Sequence, residues 1–294
     1  MLRSLPRDEA VAWIHEFLGK GNDKPTGLSF VIGTAGSLKE WPTFRTFLLD
    51  TLAEIDPVAA ASISREILST PTTADEWALA LRNVGKSGSA NETNTYLAAK
   101  TMELINNAAW QADPSIGYLN AFDVLVATDA TVATPLLSGL IQRKERKDLA
   151  HASFLTLDRL VQRQPADVLG RLSDDHALQE SRPEMVAQQF ARADLRDPVQ
   201  RDITRKWLLD PARTAVELQS FTGVYPNNNR FISNNLLTSE SQQSGADLAA
   251  HDREALEIIT NWARDPAFET VREPLQRMIS RLSGFVGATP SPNE

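Results

Sequence analysis

Residues 222–245 carry the side chains in this chain that best suit ligand binding. The stretch reads TGVYPNNNRFISNNLLTSESQQSG and shows little helical periodicity. Amide groups both donate and accept hydrogen bonds, and aromatic rings add contact area, so this composition favours a peptide or a sugar as ligand. The predicted binding residues are Tyr225, Asn227, Asn228, Asn229, Arg230 and Phe231.

A purely structural interpretation of the same stretch stays open. Asn side chains satisfy turn backbones and tolerate left-handed geometry, so Asn227–Asn229 also fit a tight turn after Pro226. A loop of this length without regular structure is uncommon in a compact domain and is usually either functional or disordered. Apolar residues such as Leu236 and Leu237 favour at least partial order. We therefore predict a partly ordered insertion that can carry a binding site.

One compact basic cluster lies near the middle of the chain. Acidic residues at Glu145 and Asp148 dilute its charge. A mixed run of this kind is usually a solvated helix corner, and the alternative is a docking site for an acidic partner. The members of the cluster are Arg143, Lys144, Arg146 and Lys147.

The sequence contains no catalytic or metal-binding signature. It has no Cys, which excludes disulfides and thiolate chemistry, and its four His are not spaced as metal ligands. The glycines of Gly33–Gly36 lack the Lys-Ser/Thr of a phosphate-binding loop. His251 and Asp252 are neighbours on a predicted helix, where adjacent side chains point in different directions, so no dyad is expected. We expect no catalytic residue, no metal and no cofactor.

Composition limits the classes of partner. The chain has 30 basic and 38 acidic side chains, a net charge of −8 and a pI near 5.2. A nucleic-acid binder needs a basic stripe, so we expect no nucleic-acid partner. No apolar run approaches the ~18 residues of a membrane span. Residues 1–7 lead into a helix without the apolar core of a signal peptide. The sequence leaves the compartment open: cytoplasmic, or periplasmic or exported if a targeting segment has been removed.

Helical periodicity organises most of the chain. Residues 41–70 spell two helices that meet at Asp56-Pro57, a pair of residues that ends one helix and caps the next. Similar corners recur at Asn91, Asp129, Pro165 and Asp197, roughly 35 residues apart. A hairpin of this kind has one apolar face and needs neighbours to bury it. The apolar stripe of the first helix contains Phe44, Phe47, Leu48, Leu52 and Ile55.

These hairpins resemble degenerate HEAT-type repeats. The resemblance rests on second helices that open with Asp and then Val, over Asp56 to Val58, Asp129 to Val132 and Asp197 to Val199. It implies an all-α fold of stacked antiparallel hairpins, a HEAT-like α-solenoid, with one long irregular loop. It also implies a non-catalytic scaffold that binds a protein partner. The rival hypothesis is an enzyme, or a glycan- or peptide-binding protein, that uses residues 222–245.

The same patterns divide the chain into five predicted segments. Residues 1–40 form an N-terminal helix and an extended connector, and residues 41–221 form the hairpin repeats. Residues 222–246 form the Asn-rich insertion. Residues 247–286 form a final helical hairpin, and residues 287–294 a disordered tail.

Overall fold

Helices provide nearly all of the regular structure. A computed structural model describes residues 4–88 and 90–288, and within them the predicted all-α fold class is confirmed. No helix in these ranges is long and apolar enough to cross a membrane. The predicted tail at 287–294 lies largely outside the described residues, and its first two residues complete the last helix.

The described chain folds into two compact units, and one of them contains a segment that is distant from the rest of it in sequence. Unit 1 comprises the described residues up to Thr156 together with Ile232–Glu240. Unit 2 comprises Leu157–Phe231 together with the described residues from Ser241 onward. The predicted repeat region at 41–221 therefore crosses from one unit to the other. The predicted insertion at 222–246 is also divided, because its centre packs in unit 1.

Unit 1 contains a small β-pair and a series of helices. Helix α2 packs on α3, α3 on α4, and α4 on α5, so helices that follow one another in sequence are also neighbours in space. The elements are α1 (Arg7–Gly19), β1 (Val31–Ile32), β2 (Leu38–Glu40), α2 (Phe44–Ile55), α3 (Pro57–Ile67), α4 (Ala74–Lys86), α5 (Asn91–Asn106), α6 (Ala108–Ala112), α7 (Ile116–Ala121), α8 (Asp123–Ala127), α9 (Thr134–Ile141) and the start of α10 (Lys147–Arg163).

Unit 2 begins with the end of α10 and continues with shorter helices. Its main pairings are α11 with α14, α13 with α15, and α16 with α17. A 3-10 helix over Pro266–Val271 joins the last two. The elements are α11 (Pro165–Asp174), α12 (His176–Ser181), α13 (Pro183–Phe190), α14 (Pro198–Leu209), α15 (Ala215–Val224), α16 (Gly245–Arg264) and α17 (Arg272–Ala288).

The extended connector predicted within residues 1–40 contains a short β-pair. Strands β1 and β2 pair antiparallel across a 3-10 helix at Thr34–Gly36, with an irregular register. Gly36 has a φ of 69°, in the left-handed region. The short apolar run at 28–32 provides β1, which explains why helical periodicity is missing there.

The Asp-Pro corners form helix caps at two of the predicted positions. Asp56 Oδ1 accepts hydrogen bonds from the amides of Val58 and Ala59 at 3.1 and 3.0 Å. Asp197 caps α14 in the same way. The other corners differ: α5 follows Ala90 without a side-chain cap, and Asp129 has a φ of 50°.

The valines that carry the HEAT resemblance lie outside the core. Val58, Val132 and Val199 are 76%, 59% and 56% exposed. Each comes shortly after its corner residue, where the chain is still at the surface. The pattern therefore marks the start of a helix and not a buried apolar face.

Buried charges hold the irregular segments of unit 1. The Arg82 guanidinium donates to the Asp50 carboxylate at 2.5 Å and to the carbonyl oxygen of Gly36 at 2.8 Å. Asp50 also accepts the indole N–H of Trp41 at 2.8 Å and the main-chain N–H of Leu38 at 3.3 Å. Because a buried charge needs partners, this network fixes the β-pair against α2 and α4.

A second buried carboxylate holds residues 232–240 in unit 1. Asp123 accepts the main-chain N–H groups of Leu237 and Thr238 at 2.7 and 3.0 Å. Leu236 is fully buried, and its carbonyl group lies against Gly36. Residues 232–240 are therefore an integral part of unit 1.

Gly36→Ala tests this arrangement. A Cβ at Gly36 would overlap the carbonyl oxygen of Leu236, and the left-handed backbone adds strain. We expect a loss of about 2 kcal/mol or more in the free energy of unfolding. Urea unfolding followed by circular dichroism measures it.

Gly139→Ala is the matched control. It lies inside α9 with open space where a Cβ would be, so the substitution should be neutral or stabilising. Equal losses for the two variants would contradict the close approach at Gly36.

Candidate functional site

An ion pair in unit 2 fixes the turn at Asn227–Asn229. Arg192 donates from Nε and Nη2 to the two carboxylate oxygens of Asp158 at 2.5 and 2.8 Å. Its Nη1 donates to the carbonyl oxygens of Asn227 and Asn229, both at 2.9 Å. Asn227 also donates its main-chain N–H to the carbonyl of Ala191 at 2.8 Å. The backbone of this segment, called the Asn turn below, is therefore held from its carbonyl side.

The side chains of the Asn turn are left available. Across residues 4–88 and 90–288, the amides of Asn227, Asn228 and Asn229 have no intramolecular hydrogen bond. The main-chain N–H groups of Asn228, Asn229 and Arg230 likewise have no acceptor within those ranges. The turn thus combines a fixed backbone with unused polar groups, which is the arrangement that a preformed binding site needs.

Two clefts of unit 2 share the Asn turn. Asn227 and Asn228 line both of them. The smaller cleft has a volume of about 230 Å³, and its other polar walls are Gln162, Arg192, Asp194, Gln200, Arg230 and Gln243. The larger has a volume of about 460 Å³, and its walls include Gln188, Pro226, Leu248, Asp252, Arg281 and Phe285.

The prediction that Tyr225 supplies contact surface is wrong. Its side chain is fully buried and extends a row of rings through Phe221 and Trp207, with centroid distances of 5.4 Å at both steps. Burial raises the pKa of the Tyr225 hydroxyl, and the nearby Asp194 carboxylate adds to the shift. Tyr225 anchors the end of α15 in the core. Phe231, by contrast, is 65% exposed.

Arg230 contributes to both the structure and the surface of the site. Its Nη1 donates to the carbonyl of Ser241 at 3.3 Å, and its own carbonyl accepts from Gln242 Nε2 at 3.1 Å. These contacts align residues 230 and 241–242 side by side where the chain leaves and re-enters unit 2. Arg230 also lines the smaller cleft.

His251 and Asp252 do interact, against expectation. His251 Nδ1 lies 3.1 Å from Asp252 Oδ1, and His251 Nε2 lies 3.9 Å from Asp194 Oδ1. Flexible side-chain torsions, which helix geometry does not fix, bring the adjacent pair together. Burial raises the pKa of Asp194, but hydrogen bonds from the side chain and main chain of Arg196 outweigh it, so that the net pKa is lowered.

The basic cluster in unit 1 is largely committed to structure. Arg143 donates to Gln111 Oε1 at 2.7 Å and pairs with Glu145 at 2.9 Å. Arg146 pairs with Asp148 and donates to the carbonyl of Gln111. These bonds hold the end of α6. Lys144 and Lys147 remain exposed.

Comparisons with known proteins leave the family open. No protein-family model matches the chain, and no curated protein or solved structure matches it. In the part of the chain that the structure describes, no group of three or more His, Asp and Glu side chains is arranged to hold a metal ion. The candidate site therefore stands on its own geometry.

Asp158→Ala tests the support of the Asn turn. The side chains of Arg192 and Asp158 are 6% and 5% exposed, so the substitution leaves a buried guanidinium without its counter-ion. We expect a loss of about 3–5 kcal/mol in the free energy of unfolding. Denaturant unfolding monitored by Trp fluorescence measures it.

Asp202→Ala is the control for that experiment. Asp202 pairs with Lys206 on the exposed face of α14, where an ion pair contributes about 0–1 kcal/mol. A loss at Asp158 no larger than at Asp202 would show that the turn is not held by this pair.

Proposed function

We propose that the chain is a non-catalytic interaction protein, built from HEAT-like helical hairpins, that binds an extended segment of a partner protein at the Asn turn. The observation that carries the proposal is that the backbone of the turn is held in place while its side-chain amides are unused. Arg192 holds its carbonyl groups, while three amide side chains have no hydrogen-bond partner among the residues that the structure describes. An extended peptide offers unpaired N–H and C=O groups, and amide side chains can satisfy both kinds.

The two clefts support a peptide in particular. Because Asn227 and Asn228 line both clefts, a chain that crosses the turn would place neighbouring side chains on either side of it. The larger cleft adds apolar surface from Leu248 and Phe285, and exposed Phe231 follows the turn in sequence. An apolar centre with a polar rim is the usual composition of a protein interface.

The helical hairpins would supply a rigid support. In unit 1, α2 to α5 pack each on the next, and in unit 2, α16 packs on α17. Packing between sequence neighbours is the feature expected of stacked hairpins. A site that rests on packed helices loses less conformational freedom when it binds than a free loop does.

A double substitution, Asn228→Ala with Asn229→Ala, tests the proposed function. Immobilised protein would be exposed to a phage-displayed library of linear peptides. We expect the native protein to enrich binders and the double variant to lose them, because the amide groups are removed while the Arg192 contacts to main-chain carbonyls stay. The melting temperature should be unchanged.

Asn261→Ala provides the matched control on the exposed face of α16. It removes an amide that lines neither cleft, so enrichment should persist. Equal enrichment by the native protein and the double variant would mean that the turn is only structural.

An enzyme is the second candidate, and a specific contact favours it. Asp252 lines the larger cleft and contacts His251, whose other ring nitrogen faces Asp194. Asp252 would be the general base of such an enzyme, because its carboxylate lines the cleft and His251 contacts it from the protein side. If this alternative holds, a panel of peptide and glycan substrates should reveal hydrolysis that Asp252→Asn abolishes without loss of peptide capture. Hydrolysis that survives Asp252→Asn would contradict it.

A further inference from the structure

Hydrogen-bond donors dominate the exposed backbone of the Asn turn. The carbonyl oxygens of Asn227 and Asn229 accept from Arg192, and that of Arg230 accepts from Gln242. The N–H groups of Asn228, Asn229 and Arg230 have no acceptor among the described residues. Among the described residues the carbonyl oxygen of Asn228 accepts no hydrogen bond, so three unused main-chain donors stand against one unused main-chain acceptor. This excess of donors favours a ligand rich in acceptors.

The charges around the clefts have the same bias. Arg230 lines the smaller cleft and Arg281 the larger, and neither has a carboxylate partner among the described residues. Arg281 contacts the Phe285 ring, with its guanidinium carbon 5.4 Å from the centroid. Both guanidinium groups therefore keep unused donors beside the turn.

The carboxylates at the same clefts already have partners. Asp194 pairs with Arg196 at 2.7 Å. Asp252 contacts His251 at 3.1 Å. Asp158, which supports the turn from below, is satisfied by Arg192. Asp252 has no cationic side chain other than His251 beside it among the described residues, so two arginines without a carboxylate partner stand against one carboxylate at the clefts, and the balance is positive.

Local charges decide the sign of the partner although the whole chain is acidic. The net charge of −8 is spread over the chain. At ~0.1 M salt the Debye length is about 10 Å, so exposed charges farther away are largely screened. A ligand in the clefts responds mainly to Arg230, Arg281, the Asp252 carboxylate and the N–H groups of the turn.

From this complementarity we propose that the partner segment is an acidic extended peptide. Its Asp or Glu carboxylates would bind Arg230 and Arg281, and its backbone would lie across the Asn turn. Hydrogen bonds from a guanidinium or a main-chain N–H to a carboxylate are stronger than neutral ones. The inference rests on the proposed function and specifies the chemistry of its partner.

Two displayed peptide libraries test the inference. They differ only in that one carries Asp and Glu where the other carries Asn and Gln, so shape and length are matched. On the native protein we expect the acidic library to enrich about tenfold or more above the amide library, because charge-assisted bonds replace neutral ones. The preference should fall as salt is raised.

Variants of the two arginines locate the preference. Arg230→Gln and Arg281→Gln should each reduce it severalfold, whereas Arg230→Lys should keep most of it. Arg264→Gln is the control, because Arg264 is exposed at the end of α16 and lines neither cleft. Thermal melting by circular dichroism verifies that each variant is folded.

The outcomes separate this inference from the proposed function. Equal enrichment of the acidic and amide libraries, lost in the Asn228/Asn229 double variant, would overturn the acidic partner and keep peptide binding. Enrichment of neither library above the level of the double variant would overturn both. An acidic preference that survives both Arg→Gln substitutions would overturn the assignment of the carboxylates to these arginines.

Discussion

The buried pair of Arg192 and Asp158 is the interaction on which the candidate site depends. A guanidinium has five N–H donors in a fixed planar arrangement, and a carboxylate satisfies only part of them. Here Asp158 accepts from Nε and Nη2, and the carbonyls of Asn227 and Asn229 accept from Nη1, so four of the five donors are used. The turn lacks the main-chain hydrogen bonds of a helix or strand, and the buried Arg192 side chain donates hydrogen bonds in their place.

Unit 1 uses the same device for its own irregular segments. Arg82 connects Asp50 with the carbonyl of Gly36, and Asp123 accepts the amides of Leu237 and Thr238. In both units a buried charged side chain replaces missing backbone partners. Removing one member is costly, because the other then stays buried without a counter-charge or hydrogen bonds.

Sequence periodicity predicts the helices well and their long-range partners poorly. Apolar stripes and Asp caps identify α2, α3 and α14, because these signals act within a few residues. Thr73 and Glu76 show the limit, because their spacing in the sequence is that of a capping box. Thr73 does cap α4, but Glu76 pairs with Arg45, 31 positions away, and forms no capping box. Pairs as distant as Leu237 and Asp123 leave no local pattern at all. The division of the insertion between two units, and the burial of Tyr225, follow from such distant contacts.

The position of residues 232–240 in the sequence also constrains how the chain can fold during its synthesis. Leu236 belongs to the core of unit 1, yet the first part of unit 2, Leu157–Phe231, precedes it in the chain. During translation, the N-terminal unit therefore waits for Glu240 to leave the ribosome before its core is complete. Until then the surfaces that receive Leu236 stay open to solvent, and unfinished apolar surface of this kind is prone to aggregation. Unit 1 can therefore be completed only after the first part of unit 2 has been synthesised. A truncated protein that ends near Thr156 would lack part of its own core.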